Sequence, residues 1–159
     1  MPALDGSTHV ALTVSDLDRS TEWYTAVLGM VVLEEIAPPE AGAVFRMLLH
    51  PRSFASLALG LPREPLPGPA DERRPGLHHV AFHVPERADL DEHARHLDSI
   101  GVPHSGVRTS RYEPGWQLWL RDPDQIWVEL YWVDRAQFLE GLRAAYRDRR
   151  GLFTDRTPR

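Results

Sequence analysis

The 159-residue chain carries a formal net charge of -5 with histidine neutral, and it contains no cysteine. Disulfide frameworks, thiolate metal sites and cysteine nucleophiles are therefore excluded, and no basic stripe offers a nucleic-acid footprint. Lysine is also absent, so Schiff-base chemistry is excluded and arginine is the only fixed cation available to an anionic ligand.

A chain of this length buries about 68–70% of its extended surface, enough for a core without staples. No apolar run approaches the ~18 residues of a membrane span, and the first residues lack the pattern of a signal peptide. The expectation is a cytoplasmic protein.

Residues 8–14 alternate with the period of a half-buried strand, and Ser15-Asp16 offers a helix N-cap. Trp23, Tyr24, Val27 and Leu28 then fall at helical spacing, and Gly29 stands where a helix-ending glycine belongs. Three β-rich runs follow, Met30 to Ile36, Ala43 to Leu49 and Phe54 to Gly60, giving βαβββ. Residues 61–76 are crowded with proline, glycine and charge and read as a linker without packed elements.

The order then repeats. A strand at 77–84 precedes a helix opened by Asp89, with Glu92 in capping-box spacing, and closed by Gly101; strands near 102–108, 114–121 and 125–132 follow. Residues 134–149 form a third amphipathic helix with Phe138, Leu142, Ala145 and Tyr146 on one face, and the last ten residues fray. The expected organisation is one domain over 1–159, made of module 1 (7–60), the linker (61–76), module 2 (77–133) and a C-terminal helix and tail (134–159).

The duplication is written into two phrases, His9-Val10-Ala11-Leu12-Thr13-Val14 and His79-Val80-Ala81-Phe82-His83-Val84. Equivalent strands presenting equivalent imidazoles across a pseudo-twofold axis would bring two metal ligands face to face. Period two puts His79, Ala81 and His83 on one face and His9, Ala11 and Thr13 on the matching face, with His78 pointing the other way. Glu129 sits alone among apolar residues in Ile126-Trp127-Val128-Glu129-Leu130-Tyr131, and a buried carboxylate is costly unless it is paired or bound to a cation. Pairing with Arg46 is the structural alternative.

Aligning Leu48-Leu49-His50-Pro51 with Leu120-Arg121-Asp122-Pro123 sets Leu57 opposite Glu129, so a fourth protein ligand is missing. Two histidines and one carboxylate with open positions suit ferrous iron in an oxygenase, with manganese or zinc as alternatives.

The phrases His9-Val-Ala-Leu-Thr-Val, Asp16-Leu-Asp-Arg-Ser, Tyr24-x3-Leu28-Gly29, His79-Val-Ala-Phe and Arg121-Asp-Pro-Asp-Gln-Ile-Trp-Val-Glu129-Leu resemble the vicinal oxygen chelate superfamily over nearly the whole chain. That superfamily includes glyoxalases, extradiol dioxygenases, fosfomycin-resistance transferases and bleomycin-binding proteins. The resemblance implies an α+β fold of two tandem βαβββ modules in a curved, mostly antiparallel open sheet, here with an added C-terminal helix. It also implies a divalent metal on the concave face, held at positions that map onto His9, His79 and Glu129, and a substrate chelating through two adjacent oxygens.

Glyoxalase-like members carry a carboxylate, and epimerase-like members a glutamine, where Leu57 is placed here, which disfavours four-ligand proton-shuttle chemistry. Ring-cleaving members commonly have a tyrosine about ten residues before the final glutamate, where this chain has Trp119. The thiol transferases rely on a lysine and potassium loop that a lysine-free chain does not fully reproduce.

The leading expectation is a metal-dependent dioxygenase acting on a small catechol-like or other vicinal-oxygen substrate, with Fe(II) preferred over Mn(II) or Zn(II). His83, about 13 Å along the strand from His79, is a candidate acid or base or a plain solvated histidine. Arg46, Leu57, Trp116, Trp127 and Tyr131 are expected to line the pocket, with core packing as the alternative for the tryptophans, and Tyr112 to fold over a ligand from a loop or else to stand in a plain surface turn. His50, His93, His96 and His104 are assigned no role. The alternatives are a manganese-dependent thiol transferase or glyoxalase-type lyase or isomerase, and a non-enzymatic protein that sequesters an aromatic natural product. A homodimer is expected, and the linker reaches far enough for modules to pair within a chain or between two.

Overall fold

The computed structural model describes residues 7–66, 68–111 and 114–145. Module 1 runs β1 (Val10–Thr13), α1 (Leu17–Leu28), β2 (Val31–Ile36), a 3-10 turn at Pro39–Ala41, β3 (Ala43–Leu49) and β4 (Ser56–Pro62). Module 2 repeats it as β5 (His79–His83), α2 (Arg87–Ser99), β6 (Arg108–Thr109), β7 (Gly115–Arg121) and β8 (Trp127–Val133), and α3 (Arg135–Ala145) follows. The result is two four-stranded sheets with the same order, β1-β4-β3-β2 and β5-β8-β7-β6. In each, the first strand pairs in parallel with the last, and the remaining pairs are antiparallel.

Local chemistry explains the helix ends. The Asp16 side chain accepts from the Arg19 N–H at the start of α1, and Gly29 ends that helix at φ 66, a left-handed conformation that costs a residue without Cβ little. Helix α2 starts a turn earlier than the Asp89 reading. Its N-cap is Glu86, and Asp89 is the reciprocal member of the capping box rather than its opener. Asp134 caps α3 by accepting from the Ala136 and Gln137 N–H groups.

Three strand boundaries also differ from the sequence reading. β4 begins at Ser56 because Phe54, at φ 57, belongs to the turn. β6 is only two residues long, and His104 contributes an isolated bridge to Leu120 instead of a continuous strand from 102. The segment after β4 is also not loose, since Leu61 and Pro62 extend β4 and the Ala70 N–H donates to the Asp124 carbonyl. Tyr146 and the end of the third helix as read from sequence lie outside the described residues.

One hydrophobic core joins the modules. It takes Leu12, Leu48, Leu57 and Leu59 from the first sheet, Leu118, Leu120, Val128 and Leu130 from the second, and Tyr24, Val27, Leu90 and Leu97 from the helices between. Polar contacts seal the same seam. The buried Tyr24 hydroxyl donates to Asp122 at 3.0 Å, Asp124 takes the Ser15 N–H and an Arg19 ion pair, and the His96 ring contacts the Ala26 carbonyl at 2.7 Å. Because the helix-covered faces share that core, the opposite faces of the two sheets look away from it. This is the feature that governs the functional site.

Candidate functional site

Strand register decides which side chains meet. In module 2 His79, Ala81 and His83 pair with Trp127, Glu129 and Tyr131, and these in turn pair with Arg121, Trp119 and Gln117. Directly paired residues share a face, so all nine lie on the open face of the second sheet, while Val128, Leu130, Leu118 and Leu120 point into the core. Within this group His79 Nε2 lies 3.6 Å from Glu129 Oε2.

Glu129 is 7% exposed, which for a carboxylate demands compensation, and the imidazole beside it is a ring whose pKa is pushed down. Burial is the main cause and the neighbouring His78 adds to it, so His79 is neutral at pH 7. The Nδ1 atoms of His78 and His79 approach to 2.9 Å. That corrects the sequence reading of His78, which precedes β5 and therefore escapes the strand alternation that would turn it away.

Trp119 completes this corner. Its ring lies 5.1 Å from the His79 ring and 5.9 Å from that of Trp127, centroid to centroid. Its Nε1–H is buried and has no hydrogen-bond partner among the described residues. An indole N–H denied both water and an acceptor costs about 1–3 kcal/mol, a cost that an oxygen ligand seated beside it would remove. A neutral imidazole, a buried carboxylate and an orphaned donor are together a donor set suited to a metal-bound oxygen ligand.

His9 is exposed, and its Nδ1 lies 3.2 Å from the Thr8 hydroxyl. It does not join the pair. Among the described residues no three histidine, aspartate or glutamate side chains gather closely enough to hold an ion. One chain thus brings together two of the three expected ligands.

Three residues expected in the pocket face elsewhere. Leu57 pairs with Val10 and is fully buried under the helices. The position matching Glu129 is instead Ala58, paired with Ala11 as Glu129 is with Ala81. The loop between β3 and β4 (50–55) is one residue longer than that between β7 and β8 (122–126), and one residue of slip turns a strand over. A fourth carboxylate is missing at either position.

Arg46 does not reach Glu129. It turns toward α1, where it bonds Asp18 at 2.8 Å and Thr21, and it also pairs with Glu35 of β2 at 2.7 Å. Trp116 is on the helix side, packed against the core with the Arg87 guanidinium 4.3 Å above its ring. Trp127 and Tyr131 are on the open face. Tyr112 lies outside the described residues.

His83 is on the open face too, with its pKa lowered by burial and by Arg135. Three of the remaining histidines hold structure: His50 accepts from the Ser53 N–H, His96 joins the helices, and His104 meets Asp98 at 3.1 Å.

Sequence reasoning did not place Trp119 and Arg121 in the site. Counting outward from the 122–126 loop would have found both, because an antiparallel hairpin fixes which residues stand opposite Glu129 and Trp127.

With this geometry in view, comparison with known proteins is decisive for family. The model of the glyoxalase/bleomycin resistance protein/dioxygenase superfamily matches residues 6–130. The chain belongs to that superfamily. It is 30% identical over 126 residues to the uncharacterised protein YwkD of Bacillus subtilis (strain 168), an alignment covering 77% of this chain and 93% of that one. A glyoxylase/bleomycin resistance protein/dioxygenase domain from Frankia sp. EAN1pec superposes with a TM-score of 0.74 at 31% identity, covering 84% of this chain and 95% of the other. The fosfomycin resistance protein FosX of Listeria monocytogenes, solved with Mn(II) and sulfate, shares the fold with a TM-score of 0.61 at 17% identity, covering 86% and 99%. The superfamily includes metal-dependent enzymes, and the α+β duplication of this chain is their fold. Among the described residues no helix is long and apolar enough to cross a membrane.

Proposed function

We propose that this protein is a metal-dependent vicinal oxygen chelate enzyme, of dioxygenase type, acting on a small substrate that chelates through adjacent oxygens. The observation that carries the reading is the His79–Glu129 pair, 3.6 Å apart and facing an aromatic surface. His79 and Glu129 would hold a divalent ion, Fe(II) before Mn(II) or Zn(II), with His9 as the third ligand. When bound, the ion supplies Lewis acidity that lowers the pKa of a substrate hydroxyl. Trp119 would donate its indole N–H to a substrate oxygen, and His83 would exchange protons farther along the same face.

His9 is supplied by a second copy of the chain in this proposal. The open faces of the two sheets look away from their shared core, so a complete ligand set calls for the first sheet of one copy to face the second sheet of another. Strands β1 and β5, the edge strands that carry or adjoin the two histidines, each pair on one side only among the described residues, which leaves backbone groups open toward such a partner.

The test is metal content followed by oxygen use. Wild type loaded anaerobically should retain one Fe(II) per chain and consume dioxygen with a catechol-like substrate, and His79→Ala and Glu129→Gln should lose both. Full metal occupancy in either variant contradicts the assignment. Thiol addition to an electrophile under nitrogen, with no oxygen uptake, would select the manganese-dependent transferase alternative instead.

A further inference from the structure

We propose that Arg121 and the Trp127 indole N–H form a carboxylate-binding cradle beside the His79–Glu129 pair, filled in this structure by the chain's own Glu72 in the place of an acidic ligand. The donors converge on one carboxylate. Arg121 gives Nη1 to Glu72 Oε2 at 3.2 Å and Nη2 to Oε1 at 3.0 Å, and Trp127 gives Nε1 to the same Oε1 at 3.3 Å. Two parallel guanidinium bonds and an indole bond are a fork that matches the planar geometry of a carboxylate.

The donors and the acceptor are built differently. Arg121 and Trp127 face each other in register on β7 and β8, the guanidinium lies 3.5 Å over the indole ring, and Nη1 is tied further to the Gln125 carbonyl at 2.6 Å. Both donors thus have holds of their own besides the carboxylate. Glu72, in contrast, is an exposed residue of a turn in the segment between the modules, outside any helix or strand. The donors are preorganised and the acceptor is replaceable. Residues 68–74, Arg121 and Gln125 line a hollow of about 470 Å³ there, room for a small molecule once the Glu72 side chain swings off the donors.

Position gives the cradle its meaning. Trp127 is the register partner of His79, one strand away on the same face, and the Trp119 ring touches both rings edge to face. A planar ligand stacked along Trp119 would reach the His79–Glu129 pair at one end and the cradle at the other. Bonds from Arg121, then from the residue's own backbone N–H and from Trp127, hold the Glu72 carboxyl down to about 2, so the cradle takes this group as an anion across the physiological range. The cation is arginine in a chain without lysine. The inference rests on the proposed function in one respect only, that the substrate sits at His79 and Glu129, and it narrows that substrate to a small planar acid for which Glu72 is the built-in competitor.

The test uses benzoate as the probe and benzamide as the uncharged control, in the presence of a chelator, following the Trp127 indole N–H by NMR with Trp127→Phe to assign it. A tethered competitor acts at an effective concentration of order millimolar, so Glu72→Ala should lower the benzoate midpoint by about tenfold or more. Glu72→Gln should act in the same direction, benzamide should leave the resonance unmoved, and adding Arg121→Gln to Glu72→Ala should abolish the response. Equal benzoate midpoints in wild type and Glu72→Ala, or an equal response to benzamide, would overturn the cradle. Because a chelator is present, failure here leaves the metal-site reading standing, whereas failure of metal retention leaves the benzoate result standing.

Discussion

If the ligand set is shared between two copies, two inactive variants should rescue each other. His9→Ala removes the ligand contributed by the first sheet, and Glu129→Ala removes one contributed by the second. In a mixed dimer, one site combines both defects. The other combines the intact His9 of the Glu129→Ala copy with the intact His79 and Glu129 of the His9→Ala copy. Random assortment makes half the dimers mixed, and half the sites in those are whole, so refolding the variants together should restore about a quarter of wild-type sites. A site closed within one chain yields none, since every chain then carries a defect in its own site. The assay is iron retained per chain after gel filtration, read beside oxygen uptake, with each variant refolded alone as the blank. His9 is exposed on β1's leading edge, so its replacement leaves the core untouched. No recovery on mixing, or full iron in His9→Ala alone, would refute the shared-site reasoning.

Three further outcomes test the frame around the site. Tyr24→Phe removes the 3.0 Å bond to the buried Asp122 across the module seam and should cost about 1–3 kcal/mol in chemical denaturation; an unchanged midpoint would show that the seam does not depend on it. Gly115→Ala would set a Cβ 2.4 Å from the Trp132 carbonyl oxygen and 2.7 Å from the Tyr131 hydroxyl. Backbone cannot yield as a flexible side chain does, so a loss of about 1–3 kcal/mol with displaced Tyr131 signals is expected, and wild-type stability would contradict the packing. In metal-free protein His79 should titrate below the ordinary histidine value, since burial lowers it. A histidine with a depressed folded pKa binds fewer protons folded than unfolded, so stability is full above the unfolded value of about 6.5 and falls as pH drops through it toward the folded value. His79→Gln should flatten that decline, and an unaltered profile would assign it to other groups.

The duplication made most of the fold legible before any coordinates. A repeated His-Val-Ala phrase, helix caps at Asp16 and Gly29, and alternating apolar runs are local signals, and β3 and both first strands fall where those signals put them. Glu129 was legible for the same reason, as one acid in an apolar strand. What failed was parity across loops. An ungapped alignment of the hairpins ignores the extra residue in 50–55, and so exchanges Ala58 for Leu57 on opposite faces. Trp116 and Trp119 differ by an odd number, so only one of them shares the face of Glu129, and register identifies it as Trp119. Arg46 was misplaced by the same parity, since Met47, not Arg46, pairs with Ala58. The docking of Glu72 on Arg121 had no local signal at all, because a proline-rich segment reveals composition but not which partner each of its carboxylates will find.

The most direct measurement is anomalous diffraction from crystals of the wild-type protein loaded with Mn(II). The account predicts one ion at each His79–Glu129 pair, completed by His9 of a second copy, with the Trp119 indole N–H turned toward the open coordination positions. An ion bound elsewhere, or one held without either His79 or Glu129, would contradict it.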